Sequence, residues 1–369
     1  MSHSLERPGS YEHLISANRG AAGALYVAAR LSRQDLSNAL LSARARTTAE
    51  WLLSCPDTSD SGLPGLHFGR AGCAVAIAEA VRGGIIEGGT TVQTYIRESL
   101  GGVLDWPDLT HGAAGQGIAA MYCADCLGNE DWAVLAAPCA RYLVDSQRSD
   151  GSWEMPTGVD VLTGEVFSGF AHGVACIVYF LSAYSHRFGD KSVETSWTRG
   201  ADWLILNSVS SRANSQLAWT WSLQNKSVWN WWCHGAPGIA LTFLSLYGAS
   251  GNERFATVAR QALQSVPEGI RSGSLGQCHG LAGIGEIFLE AARTLAEPFW
   301  KDRSLDIANT IMQLARSTPE GTCTWKVDDA PFPTADLMVG NGGIAHFLMR
   351  AIKYEESIGF PLLLGASPR

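Results

Sequence analysis

A short glycine-bearing turn recurs seven times along the chain, each time just before a run of small and apolar residues. Such a repeat means that one supersecondary unit is used over and over, and that each unit buries its apolar face only against its neighbours. The copies read NRGAAGALYVAA from Asn18, HFGRAGCAVAIA from His67, THGAAGQGIAAM from Thr110, AHGVACIVYFLS from Ala171, CHGAPGIALTFL from Cys233, CHGLAGIGEIFL from Cys278 and VGNGGIAHFLMR from Val339. Their leading glycines, Gly20, Gly69, Gly112, Gly173, Gly235, Gly280 and Gly340, stand 43 to 62 residues apart, which is room for two helices and two connections. If every unit enters its helix through the same turn, the turns gather at one end of a ring, as active-site loops do in other barrels.

The segment behind each turn is apolar nearly all round and rich in Ala and Gly, as in 113–126, which is the pattern of a fully buried helix. Between the copies lie amphipathic segments, among them 34–54, 130–147, 191–207 and 302–317, which read as outer helices. Alternation of β-branched residues is nearly absent. The expected fold is therefore all-α: an α/α toroid of about seven inner and six to seven outer helices, forming one domain over 1–369. Little chain precedes Gly20, too little for an outer helix there, so a gap in the outer layer is expected, covered by segment 352–364 or by a partner chain or domain.

Composition removes several classes of function. Only 17% of residues are charged, with a formal net charge of −8, while 46% are hydrophobic. Disorder, a coiled coil and a polybasic nucleic-acid-binding surface do not fit such a chain. No apolar stretch reaches the roughly 20 residues that span a bilayer, and residues 1–30 carry Glu6 and Glu12 without the apolar core of a secretory signal. No transmembrane segment is expected, and the cytoplasm is the expected compartment. The nine cysteines, an odd number scattered from Cys55 to Cys323, point to reduced thiols rather than a disulfide framework.

Chemistry gathers beside the turns. His111, His172, His234 and His279 each stand immediately before a leading glycine. Cys233 and Cys278 stand two places before theirs in adjacent units, so ring symmetry makes them neighbours, and His279 completes a set of two thiols and one imidazole. As buried small hydrophobes the two cysteines would need no function. As ligands they match a catalytic zinc site, which keeps one position open, better than a structural site closed by four protein ligands. An open Zn2+ binds and ionises a substrate thiol.

The stretches WWCHGAPG from Trp231 and QCHGLAG from Gln277 resemble the zinc-ligand motifs WCxGxPG and CHGxxG of lanthionine synthetase C-like cyclases. Those enzymes are similar in architecture over essentially the whole chain, being α/α toroids with GxxG turns at the inner helices. The resemblance implies one Zn2+ per chain on Cys233, Cys278 and His279. It also implies a catalytic histidine at His172, in GFAHG, and its acidic partner at Asp108, in DLTHG; on local grounds Asp108, beside Pro107, reads equally as a helix cap. The implied activity is addition of a peptide Cys thiolate to dehydroalanine or dehydrobutyrine, giving a thioether ring. His172 would protonate the resulting enolate and Asp108 would orient His172. The chain departs from the family at one place: where an Arg often stands four residues before the first zinc cysteine, this sequence has Trp229.

Three long connections, 149–169, 208–232 and 318–339, each precede a turn and are expected to roof the same end of the ring; they hold seven of the 13 Trp. Rigid aromatic surfaces suit a peptide with apolar side chains, so Trp229, Trp231 and Trp232, with His111 and His234, are candidate substrate contacts. The expected partners are a dehydrated precursor peptide and the dehydratase or kinase/lyase enzyme that makes it, with no nucleic acid. Two other functions would use the same residues: addition of glutathione or another thiol to dehydrated peptides, and a non-catalytic peptide-binding scaffold. Intact Cys233, Cys278, His279 and His172 speak against the scaffold. Terpene-cyclising toroids share a stretch like ARYLVDSQRSDGSW at 140–153, but it occurs once here and without their acidic proton-donor cluster.

Overall fold

The computed structural model describes residues 14–55, 63–157, 162–211, 216–268, 273–319, 321–327, 332–356 and 358–365. Among these, the chain runs through α1 (Ala21–Ser32), α2 (Ala39–Ser54), α3 (Arg70–Arg82), α4 (Thr90–Ser99), α5 (Ala113–Leu127), α6 (Ala136–Asp145) and α7 (Val174–Phe188). It continues through α8 (Lys191–Leu206), α9 (Ala236–Ser250), α10 (Glu253–Gln264), α11 (Leu281–Leu295), α12 (Pro298–Gln313) and α13 (Asn341–Ile352). The odd-numbered helices are the seven runs behind the turns, and each has its leading glycine as N-cap. Each packs on the next, and α13 packs on α1, so the inner layer closes. The outer helices are more polar: α10 buries Phe255, Ala256, Val258, Ala259, Ala262 and Leu263 on one face, whereas α5 buries every residue except Asp125 and Leu127.

The inner helices begin without side-chain caps, because their first N–H groups turn back onto the incoming chain. Ala113, Ala114 and Gly115 donate to the carbonyls of Trp106, Pro107 and Asp108, at 2.7, 3.2 and 3.3 Å, and Leu281, Ala282 and Gly283 do the same to Ser274, Leu275 and Gly276. The helix-start donors that usually need a capping side chain are thus satisfied by main chain. This tight return explains the second glycine of the turn. A Cβ at Gly72, Gly115, Gly238, Gly283 or Gly343 would lie 1.9–2.1 Å from a carbonyl oxygen of the incoming chain, that of Leu66, Leu109, Trp232, Gln277 or Leu337. Only at Gly235 does the leading position also need glycine for its backbone, with φ at +129°.

Neighbouring turns are joined by a closed circle of hydrogen bonds through the residue two places before each leading glycine. The N–H of Asn18 donates to the carbonyl of His67, and His67 donates to Thr110, at 3.0 and 3.2 Å. The Thr110 hydroxyl donates to Ala171 at 2.9 Å. The N–H groups of Ala171, Cys233, Cys278 and Met338 then donate to Cys233, Cys278, Met338 and Asn18, at 3.0, 3.2, 2.8 and 3.1 Å. Cys233 and Cys278 are consecutive members of this circle.

Among the described residues strand is confined to two short antiparallel pairs in the long connections, β1 (Val209–Ser211) with β2 (Gln216–Ala218) and β3 (Arg316–Ser317) with β4 (Cys323–Thr324). Three insertion tryptophans nail these connections to the last turns of outer helices. The indole N–H of Trp153 donates to the carbonyl of Leu143 in α6, that of Trp219 to Leu204 in α8, and that of Trp325 to Ile311 in α12, at 2.7–2.8 Å, and all three rings are buried. They are packing elements of the outer layer rather than a roof over the site.

The outer layer has six helices among the described residues, and no outer helix covers the seam between α13 and α1. The C-terminal segment does not cover that seam, contrary to the expectation for 352–364. It enters the end of the barrel opposite the turns: Phe360, Leu362 and Leu363 are buried, and Phe360 stacks on Trp232 with ring centroids 6.2 Å apart. Main-chain carbonyls fix it there, Ile358 accepting from Arg350 and Arg293 at 2.7 Å and Gly359 from Arg30 at 3.1 Å. Arg350 is itself held by the buried carboxylates of Glu286 and Glu290. Gly72→Ala, which drives a Cβ to 2.1 Å from the Leu66 carbonyl, is expected to destabilise the protein by about 1–3 kcal/mol in denaturant titration. Gly89→Ala, whose added Cβ meets nothing within 4 Å, should stay within about 0.5 kcal/mol of wild type.

Candidate metal centre and active site

Because consecutive turns are locked side by side, the residues immediately before and two places before the leading glycines form two tiers at one end of the barrel. In the tier two places before them, Cys233 is buried and Cys278 half-buried; beside them His279, half-buried, precedes Gly280. The ligand atoms of Cys233, Cys278 and His279 lie within 4.8 Å of one another. Burial, and then the neighbouring Cys278 sulfur, push the Cys233 thiol well above its ordinary range. Ionising both sulfurs side by side would take a cation between them, and the donor set of two soft sulfurs and one imidazole fits zinc with a fourth position left for another ligand.

A second cluster stands in the adjacent turns. The carboxylate of Asp108, fully buried, accepts through Oδ2 from His172 Nδ1 at 2.7 Å and from His111 Nδ1 at 3.3 Å. Its Oδ1 accepts from the backbone N–H of His111 at 2.6 Å. The helix-cap reading of Asp108 is not realised, since the helix is capped by Gly112 without a side chain; one carboxylate oxygen instead closes the preceding turn on the His111 N–H and the other holds His172. Burial alone would raise the Asp108 carboxyl, but His111 and His172 outweigh it and hold the group far below the usual carboxylate range. An ionised carboxylate only accepts, so both imidazoles carry their proton on Nδ1 and His172 turns Nε2 away from Asp108. The side chain of His172 remains 15% exposed, against 2% for His111. Cys233 and His172 belong to neighbouring turns, joined where the Ala171 N–H meets the Cys233 carbonyl at 3.0 Å.

The tier immediately before the glycines forms a column of stacked rings. Phe68 stacks on His111, His111 on His172, His172 on His234 and His234 on Trp221, with centroids 5.5, 5.2, 5.4 and 3.8 Å apart. His111 and His234, expected as substrate contacts, are buried members of this column on either side of His172. Trp232 is likewise buried, packed against His67, Phe170 and Phe360 in the core. Trp229 and Trp231 behave differently: their rings stack at 4.4 Å, Trp229 is 40% exposed, and Trp231 reaches His279 at 5.5 Å. This pair and His279 line a groove of about 820 Å³, walled by Leu281, Ile284 and Phe288 of α11 and by Phe299 and Ile307 of α12. Sequence reasoning missed Phe68 and Trp221. Phe68 was legible from register, since it holds the same turn position as His111, His172 and His234, whereas nothing in the sequence sets Trp221 apart from its neighbours.

A closed ring of inner helices with a thiol-rich cluster at the turn end defines an α/α toroid with a candidate metal site. The profile of the family described as lanthionine synthetase C-like protein matches residues 11–364, and the chain belongs to that family. Among solved structures, nisin cyclase is similar over 95% of this chain and 91% of its own, at 18% identity and a TM-score of 0.71. The α-1,2-mannosidase from Trichoderma reesei is similar over 94% and 88%, at 13% identity and 0.54. A family 105 glycoside hydrolase of C. acetobutylicum is similar over 84% and 99%, at 11% identity and 0.52. At these identities the likeness is one of fold.

Below this site His67 is buried against Trp232, and burial first, then the nearby His172, hold its pKa at about 3 instead of 6.5. The unfolded chain therefore takes up a proton at His67 between about pH 6.5 and 3 that the folded chain refuses, so this group removes stability as pH falls through that window. His67→Gln is expected to flatten the loss of stability between those pH values, followed by denaturant midpoint; an unchanged slope would show that His67 is not the group responsible.

Proposed function

We propose that the chain, acting as one cyclase domain over 1–369, is a zinc-dependent lanthionine synthetase that closes thioether rings in dehydrated peptides. The observation that carries this reading is the meeting, in one family member, of the Cys233, Cys278 and His279 set with the Asp108-held His172 in the next turn. One zinc per chain would sit on Cys233, Cys278 and His279; when bound there it lowers the pKa of a substrate thiol so that the thiol is nucleophilic at neutral pH.

The residues divide the remaining work. The stacked Trp229 and Trp231, with the apolar walls from α11 and α12, form a rigid surface for the peptide segment carrying the thiol, since the groove they line reaches His279. Trp229 gives this groove an aromatic wall where relatives often carry Arg. The dehydroalanine or dehydrobutyrine would approach from the His172 side. Nε2 of His172, unprotonated while Nδ1–H donates to Asp108, takes up the proton that the thiol loses; sulfur bonds to the β-carbon, the π electrons move toward the α-carbon, and the same proton passes from Nε2 to complete the α-carbon. The proton lost by the thiol balances the one that His172 gives, so no oxidant or reductant is consumed and the peptide keeps its mass. Asp108, fixed by the turn, keeps His172 in the tautomer and orientation for this transfer. The substrate partner is a dehydrated precursor peptide, which a dehydratase or kinase/lyase enzyme must supply.

The test supplies a dehydrated peptide with and without internal Cys, beside glutathione, and follows mass and free thiol. Loss of peptide thiol at constant mass is expected; persistence of the thiol would overturn the cyclase reading, and gain of glutathione mass would favour intermolecular thiol addition. Cys233→Ala and Cys278→Ala should each lose the zinc that wild type holds. His172→Ala should keep zinc and fold while turnover falls by about 10²–10⁴, the usual worth of a general acid.

A further inference from the structure

His111 is not placed to touch a substrate. Its side chain is 2% exposed and lies between the rings of Phe68 and His172, at 5.5 and 5.2 Å, with Trp106 edge-on at 6.3 Å. Yet its imidazole and its backbone N–H both donate to Asp108, the first to Oδ2 and the second to Oδ1. The same Oδ2 is the atom that holds His172. Asp108 thus bridges two imidazoles, one reaching the open site and one sealed behind it.

We infer that His111 is a positioning residue: it keeps the buried Asp108 ionised and aimed, and through Asp108 and ring stacking it fixes the orientation and tautomer of His172. The inference rests on the cyclase reading and adds to it a residue of the proton-transfer machinery that contacts neither peptide nor metal. The physical requirement is plain. A carboxylate with no exposure needs donors or positive charge to stay ionised. The groups facing Asp108 are His111 from its own turn, His172 and Cys176 from the α7 end, His67 from the α3 turn and Tyr142 from α6. Cys176 and Tyr142 are neutral in the working range, both raised by burial, and His67 is held neutral. Support for the anion therefore falls on His111 and His172. Stacking contributes the second constraint, because His172 is packed between His111 and His234 at tilts of 20° and 27° and has little freedom to rotate.

The sign of the pH effect follows. His111 favours the ionised form of Asp108, so removing it raises the Asp108 carboxyl. Protonation of Asp108, which ends its hold on His172 Nδ1, then sets in at a higher pH, and the acid limb of the kcat profile moves toward neutrality. Substitution leaves the backbone N–H to Oδ1 in place, so the turn itself stays closed.

The experiment compares wild type, His111→Ala and His111→Asn in zinc content, circular dichroism and kcat and KM for thioether formation across pH. His111→Ala should keep zinc and fold, lose about 10–100-fold in kcat, the usual cost of losing a group that orients a functional histidine, keep its KM, and show the shifted acid limb. His111→Asn places an amide N–H where Nδ1–H stood and should recover most of kcat and the wild-type limb. An unshifted limb in His111→Ala, or an Asn variant as impaired as the Ala variant, would overturn the inference. A wild-type protein that forms no thioether would overturn the function reading instead, so the two failures are distinguishable.

Discussion

The circle of hydrogen bonds that joins each turn to the next is the constraint on which the rest of the protein depends. It runs through Asn18, His67, Thr110, Ala171, Cys233, Cys278 and Met338, one residue per turn, and returns to its start. Seven helices with apolar surfaces all round have many near-equivalent ways of packing, and hydrophobic burial alone does not choose a register among them. The circle does, because every helix start is tied to both of its neighbours, by main-chain hydrogen bonds at six links and by the Thr110 hydroxyl at the seventh. Any residue at a given offset from the glycine then becomes the neighbour of the residue at the same offset in the next unit.

Function follows from that translation of register into proximity. Two cysteines separated by 45 positions meet because they share an offset in consecutive turns, and His111, His172 and His234 stack because they share the next offset. The site is therefore built where each helix start is tied to its neighbours. That suits the proposed function: a cation shared by two thiols and a fixed Asp108–His172 pair would both be lost if helix starts slid by about an ångström. The opposite end of the barrel is closed by different means, the C-terminal segment held by Arg350, Arg293 and Arg30. Its Phe360 reaches Trp232, the residue just before Cys233, so the plug also supports the floor of the site.

Much of this was legible in the sequence, for a physical reason. The GxxG spacing is enforced by sterics, since a Cβ at the second glycine would strike a carbonyl at about 2 Å, and a constraint of that severity leaves a mark at six of the seven units, the fourth having Cys176 at that position. Inner helices, outer helices and the paired cysteines could be located from that mark; the pairing of Asp108 with His172 was implied by the resemblance to the family. What sequence could not supply was the direction of individual side chains in irregular chain. Trp153, Trp219 and Trp325 look like Trp229 and Trp231 when read as letters, yet three serve as anchors on outer-helix carbonyls while the other two line the groove. Of the covers considered for the outer gap, the C-terminal segment goes elsewhere for the same reason: an apolar stretch must be covered by something, but only the positions of Arg30, Arg293 and Arg350 decide where.

The proposed three-ligand zinc site on Cys233, Cys278 and His279, with one position for a substrate thiol, is open to X-ray absorption of the zinc-loaded protein. Two sulfurs at about 2.3 Å and an imidazole nitrogen at about 2.0–2.1 Å with a light fourth ligand are expected, changing to three sulfurs when a Cys-bearing peptide is added. A shell already closed by four protein ligands, or one that does not change on adding the thiol, would contradict it.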